Sequence, residues 1–227
     1  MLDERTPDGG RRSGRRARLS RDAVLRAALE IADSGGLETL TMHAIAGRLG
    51  VEAMSLYRHV HNKDEVLDGI VDLVFEEIEL PAGDAGWRTA MRQRAMSARD
   101  ALGRHPWAIG LMESRTQPGP ANLRHHDSVL GVLLAAGFSG IGATHAYNLL
   151  DSYLYGFALQ MRSLPVSTPQ DLAEVGKTLI LEMPADQYPN LRKVGMELME
   201  SGFDYAAEFE FGLDIILEGL ERTVPTG

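Results

Sequence analysis

From Val24 onward apolar residues recur at helical spacing: Val24, Ala27, Ala28, Ile31 and Ala32 fall at i, i+3, i+4, i+7 and i+8, one buried stripe. Ser20 is placed to cap the start of this helix, Asp22 suits the positive end of its dipole, and Ser34-Gly35-Gly36 ends it. Two short helical pieces follow with a sharp break between them. Thr41 caps a piece running through Ile45 and Ala46 to Leu49, Gly50 supplies the open backbone of a tight turn, and Val51 to Val60 resumes the helix. Asn62 with Glu65 has the form of a capping box. It opens a longer helix, Asn62 to Leu80, with Val66, Ile70, Leu73, Val74 and Ile78 on one side and Pro81 beyond its end.

The remaining pattern predicts helices at 84–104, 107–114, 120–136, 140–161, 170–182 and 203–222. No segment alternates with the period of two that marks a strand, so the fold class is all-α. Proline places irregular connections at Ser163–Pro169 and Pro184–Pro189. The organisation is a flexible basic arm at 1–18, a three-helix unit at 19–66 and a larger helical body at 67–222.

Composition narrows the function. The 227 residues are 44% hydrophobic and 24% charged, with no cysteine, which excludes disulfide scaffolds, thiolate metal sites and cysteine nucleophiles. A polar, arginine-rich start and no apolar run near the roughly 18 residues of a membrane span read as a cytoplasmic chain with no membrane partner. The net charge of -9 argues against a polyanionic partner until it is divided along the chain. Residues 1–63 carry 11 Lys and Arg against 8 Asp and Glu, a balance of +3, and residues 64–227 carry 12 against 24, a balance of -12. A basic head on an acidic body suits one end to DNA phosphates, although an arginine cluster can also be a solvated tail.

Two short helices meeting at a glycine turn behind a supporting helix form a helix-turn-helix candidate. The second places its side chains in the major groove. Leu56 and Val60 face the three-helix core, leaving Ala53, Met54, Ser55, Tyr57, Arg58 and His59 toward the groove and its walls. Arg58 can grip a guanine edge or a phosphate, Ser55, Tyr57 and His59 suit phosphates, and Ala53 or Met54 can meet a thymine methyl. Lys63 sits where its charge and a helix N-terminus can hold a phosphate together.

The string Thr41-Met42-His43-Ala44-Ile45-Ala46-Gly47-Arg48-Leu49-Gly50-Val51, then Ser55-Leu56-Tyr57-Arg58-His59-Val60 and Asn62-Lys63, resembles the tetracycline-repressor (TetR) family of bacterial regulators. Arg94-Ala95-Met96-Ser97, the Ala136-Gly137-Phe138-Ser139 corner and the helix from Phe209 to Leu220 are similar to landmarks of its ligand-binding domain. The resemblance implies a homodimer whose N-terminal domains read palindromic double-stranded operator DNA and whose C-terminal domains pair and bind a small organic effector that weakens DNA binding. It carries DNA contacts onto Thr41, His43, Ala53, Met54, Ser55, Tyr57, Arg58, His59 and Lys63. It carries effector contacts onto Arg94, Met112, His126, Thr144, Tyr147, Asn148 and Asp151. Met112 and Glu79 replace two drug-contacting histidines of the tetracycline repressor, the first of which holds the chelated magnesium. Magnesium takes oxygen ligands, so a magnesium-tetracycline effector is not expected.

Leu213, Ile216, Leu217 and Leu220 lie at i, i+3, i+4 and i+7, with Phe209 a turn upstream. Such a stripe closes a monomer core or pairs two copies, and the resemblance favours pairing. His125-His126 reads as a solvated helix face, and Asp151 as an effector group or the partner of an arginine. An enzyme is the competing class, but no HExxH, GxSxG, glycine-rich phosphate loop or paired-carboxylate repeat is present, and neither a catalytic residue nor a resident metal or cofactor is expected.

Overall fold

The computed structural model describes residues 19–112, 114–115, 117–163, 169–202 and 204–224. The basic arm and the loop centre at 164–168 lie outside them. Among the described residues there are eleven α-helices, two short 3₁₀ turns and no strand, the all-α architecture that the periodicity predicts.

Three helices make the N-terminal unit: α1 (Arg21–Gly35), α2 (Met42–Leu49) and α3 (Ala53–Leu56). Their ends are fixed by the residues that the sequence singles out. Ser20 accepts the Ala23 amide at 3.2 Å, Thr41 accepts Ala44 at 3.1 Å, and Gly50 takes the left-handed conformation at φ 66° that lets the chain turn between α2 and α3. Leu40, Ile45, Leu56 and Val60 close the core beneath them.

The connector α4 (Lys63–Glu76) begins as read, with Glu65 N donating to Asn62 Oδ1 at 2.8 Å. The returning half of the capping box differs: the Glu65 carboxylate accepts the His61 amide at 2.7 Å, and this bond first, with the His61 ring and Arg21 behind it, holds the carboxyl down at about 2. Gly69 permits the approach of α1, because a Cβ there would lie 2.6 Å from Leu25. This helix stops short of the predicted Leu80. Glu77 and Ile78 bond back three residues, which buries Ile78 and frees Glu77 for partners on the body.

The body comprises α5 (Trp87–Arg104), α6 (Ile109–Met112), α7 (Pro120–Ala135), α8 (Gly140–Arg162), α9 (Pro169–Glu182), α10 (Pro189–Ser201) and α11 (Tyr205–Glu221). The helix α10 is absent from the sequence reading. Pro189 at its first position and Gly202 just past its end mark it, and Leu191, Val194 and Leu198 lie at i, i+3 and i+7, but this stripe is exposed and does not face the main core. It packs on α9, where Ile180 fills the space over Gly195. Among the described residues no helix is long and apolar enough to cross a membrane.

Candidate operator interface and effector site

The predicted DNA contacts fall on the first turn of α2, on α3 and its C-terminal turn, and at the start of α4. The α-helical part of α3 is one turn rather than the predicted Val51–Val60: His59 N bonds to Leu56 O at 2.8 Å, a tighter turn that drops Val60 into the core and swings the chain toward α4. Leu56 and Val60 point inward as expected. Met54 is 76% exposed and Tyr57 45%, Thr41, His43, Arg58 and Lys63 are exposed, and Ala53, Ser55 and His59 are half-buried. Among the described residues His43, Arg58 and Lys63 make no ion pair, so their donors remain available to a polyanion.

This reading head is tied to the body at both ends of α4. At its C-terminal end the buried His105 bridges the two units, with Nδ1 2.7 Å from Asp33 of α1 and Nε2 3.1 Å from Glu77. Trp107 donates to the same Asp33 oxygen at 2.7 Å, and Arg104 reaches Glu77. Burial opposes the charge of Glu77, but Arg104 and His105 outweigh it and lower its pKa. Nearer the start of α4, Arg115 pairs with Asp68 and bonds the Asp64 carbonyl, while Asp72 accepts the Asn122 amide at 2.9 Å.

Inside the body, α5, α7 and α8 bring together Arg94, His125, His126, Tyr147 and Asp151. Arg94 is 2% exposed and stands 2.6 Å from Asp151. Burial alone would lower the pKa of Arg94, yet Asp151 raises it. Tyr147 OH lies 3.0 Å from His126 Nε2, and its ring stands under the Arg94 guanidinium at 5.7 Å. Burial, with Asp151 adding to it, pushes the Tyr147 phenol up, so it stays a neutral donor. Met112 is buried in the same core.

Two predicted members do not join. Thr144 and Asn148 form a separate i, i+4 row on the exposed side of α8, whereas Tyr147 and Asp151 form the row that turns inward. The reading of His125 as solvated is also wrong. It is fully buried, its ring lies 5.5 Å from Phe75 of α4, and Nε2 accepts from Arg94 Nε at 3.2 Å. That bond places the proton on Nδ1, which is buried without a hydrogen-bond partner among the described residues. Burial, then the Arg94 charge, depresses its pKa to about 3.

A pH effect follows from His125. Between its unfolded value near 6.5 and its folded value near 3 the unfolded chain binds the extra proton, so stability rises with pH across this window and is fully present above it. The slope from one proton is up to about 1.4 kcal/mol per pH unit. Urea titrations at pH 4 to 7 should show a shallower dependence in His125→Gln than in the parent protein; equal slopes would refute the assignment.

The apolar stripe of α11 also lies elsewhere than predicted. Phe209, Leu213, Leu217 and Leu220 are buried in the chain's own core, with Ile216 half-buried beside them. Phe209 stacks on Tyr153 at 5.4 Å and meets Phe157 edge-on at 5.0 Å. The apolar residues that α11 leaves exposed are Phe211 and Ile215, and those of α8 include Ile141, Leu149 and Leu159.

Comparison with known proteins gives this architecture its context. Residues 24–70 match the profile of bacterial regulatory proteins of the tetR family, and residues 80–224 match the tetracyclin repressor-like C-terminal domain. This chain belongs to the TetR family. Among its relatives, the HTH-type transcriptional repressor DrrR1 of Streptomyces coeruleorubidus is 35% identical over 96% of this chain and 83% of its own length. The class C tetracycline repressor of Escherichia coli is 30% identical over 90% of this chain and 92% of its own. The TetR family protein ActR of Streptomyces coelicolor, solved with actinorhodin, superposes with a TM-score of 0.78 at 28% identity, covering 92% of this chain and 99% of that one. The TetR chain described here is therefore a DNA-binding regulator of a family that binds operators as homodimers and is released by small molecules.

Proposed function

We propose that this protein is a repressor, not an enzyme, working in the cytoplasm on a palindromic operator. Thr41, His43, Ala53, Met54, Ser55, Tyr57, Arg58, His59 and Lys63 form its reading surface. The observation that carries this is the division of α3 and its following turn. Leu56 and Val60 anchor it in the core, while Met54, Tyr57 and the unpaired Arg58 stand exposed toward where a groove would lie. Removing the Arg58 guanidinium takes away a base or phosphate contact, so Arg58→Ala costs about 1 to 3 kcal/mol on the operator. Fluorescence anisotropy on selected DNA checks it, and unchanged affinity would remove Arg58 from the interface.

The effector is a small organic molecule bound at the Arg94, Met112, His126, Tyr147 and Asp151 cluster, with the His125 Nδ1 proton as a donor for one of its oxygens. The similarity to ActR bound to actinorhodin supports an organic ligand. A magnesium-tetracycline chelate does not fit, because the buried Met112 offers a thioether where magnesium needs oxygen. The cluster touches the connector directly, through His125 against Phe75. An occupant that shifts α7 against α4 changes the spacing of the two reading heads and weakens the operator complex. Two copies pair through the exposed apolar faces of α8 and α11.

A further inference from the structure

The structure holds a cavity that the effector cluster does not use. It has a volume of about 630 Å³, within the size range of small-molecule sites, and none of Arg94, His125, Tyr147 or Asp151 lines it. It opens between the last turns of α5 and α8 and the first turn of α11. Leu102, Phe157, Met161 and Tyr205 give it apolar and aromatic walls. On α8 the lining positions 157, 158 and 161 lie away from the exposed row of Leu149, Ser152 and Gly156, and Arg162 stands at the edge of the cavity one turn beyond the exposed Leu159.

Its charge is positive. Arg99, Arg104 and Arg162 line it against a single carboxylate, Asp100. Arg104 is engaged by Glu77, and Arg99 turns Nε and Nη2 to Asp100. Two donors remain without a hydrogen bond among the described residues: Arg162, which makes no ion pair, and Arg99 Nη1, which is buried while the guanidinium lies 5.3 Å over the Phe209 ring. A buried donor left unmade is a standing cost that an acceptor oxygen relieves. We propose that this cavity is a second ligand site, for an aromatic anion whose ring lies among Phe157, Leu102 and Tyr205 and whose acid oxygens meet Arg99 and Arg162. The rim residues Arg104 and Pro106 bracket His105, so an occupant sits beside the bridge between α1 and α4.

The test is a fluorescence titration of the full chain with 8-anilino-1-naphthalenesulfonate and with the uncharged N-phenyl-1-naphthylamine. The sulfonate should saturate at one site per chain and bind at least tenfold more tightly than the neutral dye. Arg162→Ala, at an exposed position that leaves folding intact, should weaken the sulfonate at least fivefold and leave the neutral dye unchanged. Arg99→Met should do the same in protein whose melting is unaltered, and Ala206→Phe at the cavity wall should abolish both. Leu191→Asp, on the exposed apolar face of α10, should change neither. Equal sulfonate binding by the parent, Arg162→Ala and Ala206→Phe proteins, or its loss in Leu191→Asp, would overturn the proposal.

Discussion

Asp151→Ala is expected to destabilise the folded chain by about 3 to 5 kcal/mol, the usual consequence of breaking a buried ion pair from one side. The cause is the location of Arg94. Its guanidinium is 2% exposed and has the Asp151 carboxylate 2.6 Å away, with His125, already held neutral, and the neutral Tyr147 and Tyr155 among its other polar neighbours. Without Asp151 the positive charge stays in the core, and no neutral neighbour balances it. Domains of this size are stable by only about 5 to 15 kcal/mol, so the loss removes a large share of the margin. The double variant Arg94→Met, Asp151→Leu removes both charges together and should regain most of the stability, because apolar residues of similar size commonly replace a buried pair at little cost. Urea denaturation of the three proteins decides the matter. A single variant within about 1 kcal/mol of the parent would mean that water reaches the pair and the cluster is not dry.

The second large effect is on assembly. Phe211→Asp with Ile215→Asp places two charges on the exposed face of α11 without entering the core, since Phe211 is 64% and Ile215 55% exposed. Folding should persist. Light scattering should give a particle near 24.8 kDa in place of a dimer. Operator affinity should fall by at least a hundredfold, because a lone reading head holds one half-site and the free energy of the second contact is lost. A variant that remained dimeric would move the pairing surface off this face of α11. The same substitutions at Phe209 and Leu213 would unfold the protein instead, since both are fully buried.

Much of the reading head is legible in the sequence because local chemistry decides it. Ser20, Thr41 and Asn62 cap helices wherever they precede an apolar period, and Gly50 can turn where other residues strain. The long motif from Thr41 to Lys63 carries the family, and the match of residues 24–70 agrees with it. Assembly-dependent features are harder to read. His125 and His126 are neighbours in sequence, yet the packing of α4, α5 and α8 around α7 buries one fully and the other only partly. The stripe from Phe209 to Leu220 shows that one face of α11 is covered, but not whether its own chain or a second copy covers it. Phe211 and Ile215, isolated apolar residues in a polar row, carry no periodic signal although they are the exposed ones. The helix α10 follows the same period, with Leu191, Val194 and Leu198 at i, i+3 and i+7 after Pro189, although its stripe meets no part of the main core.

Operator recognition is tested most directly by selection of duplex DNA from a random pool, followed by titration of the selected and a scrambled duplex over a range of salt. The selected DNA should hold a two-fold symmetric site bound on the order of a thousandfold or more tightly than the scrambled DNA, with the preference surviving salt that removes the non-specific complex. Equal affinity for both duplexes at every salt concentration would contradict it.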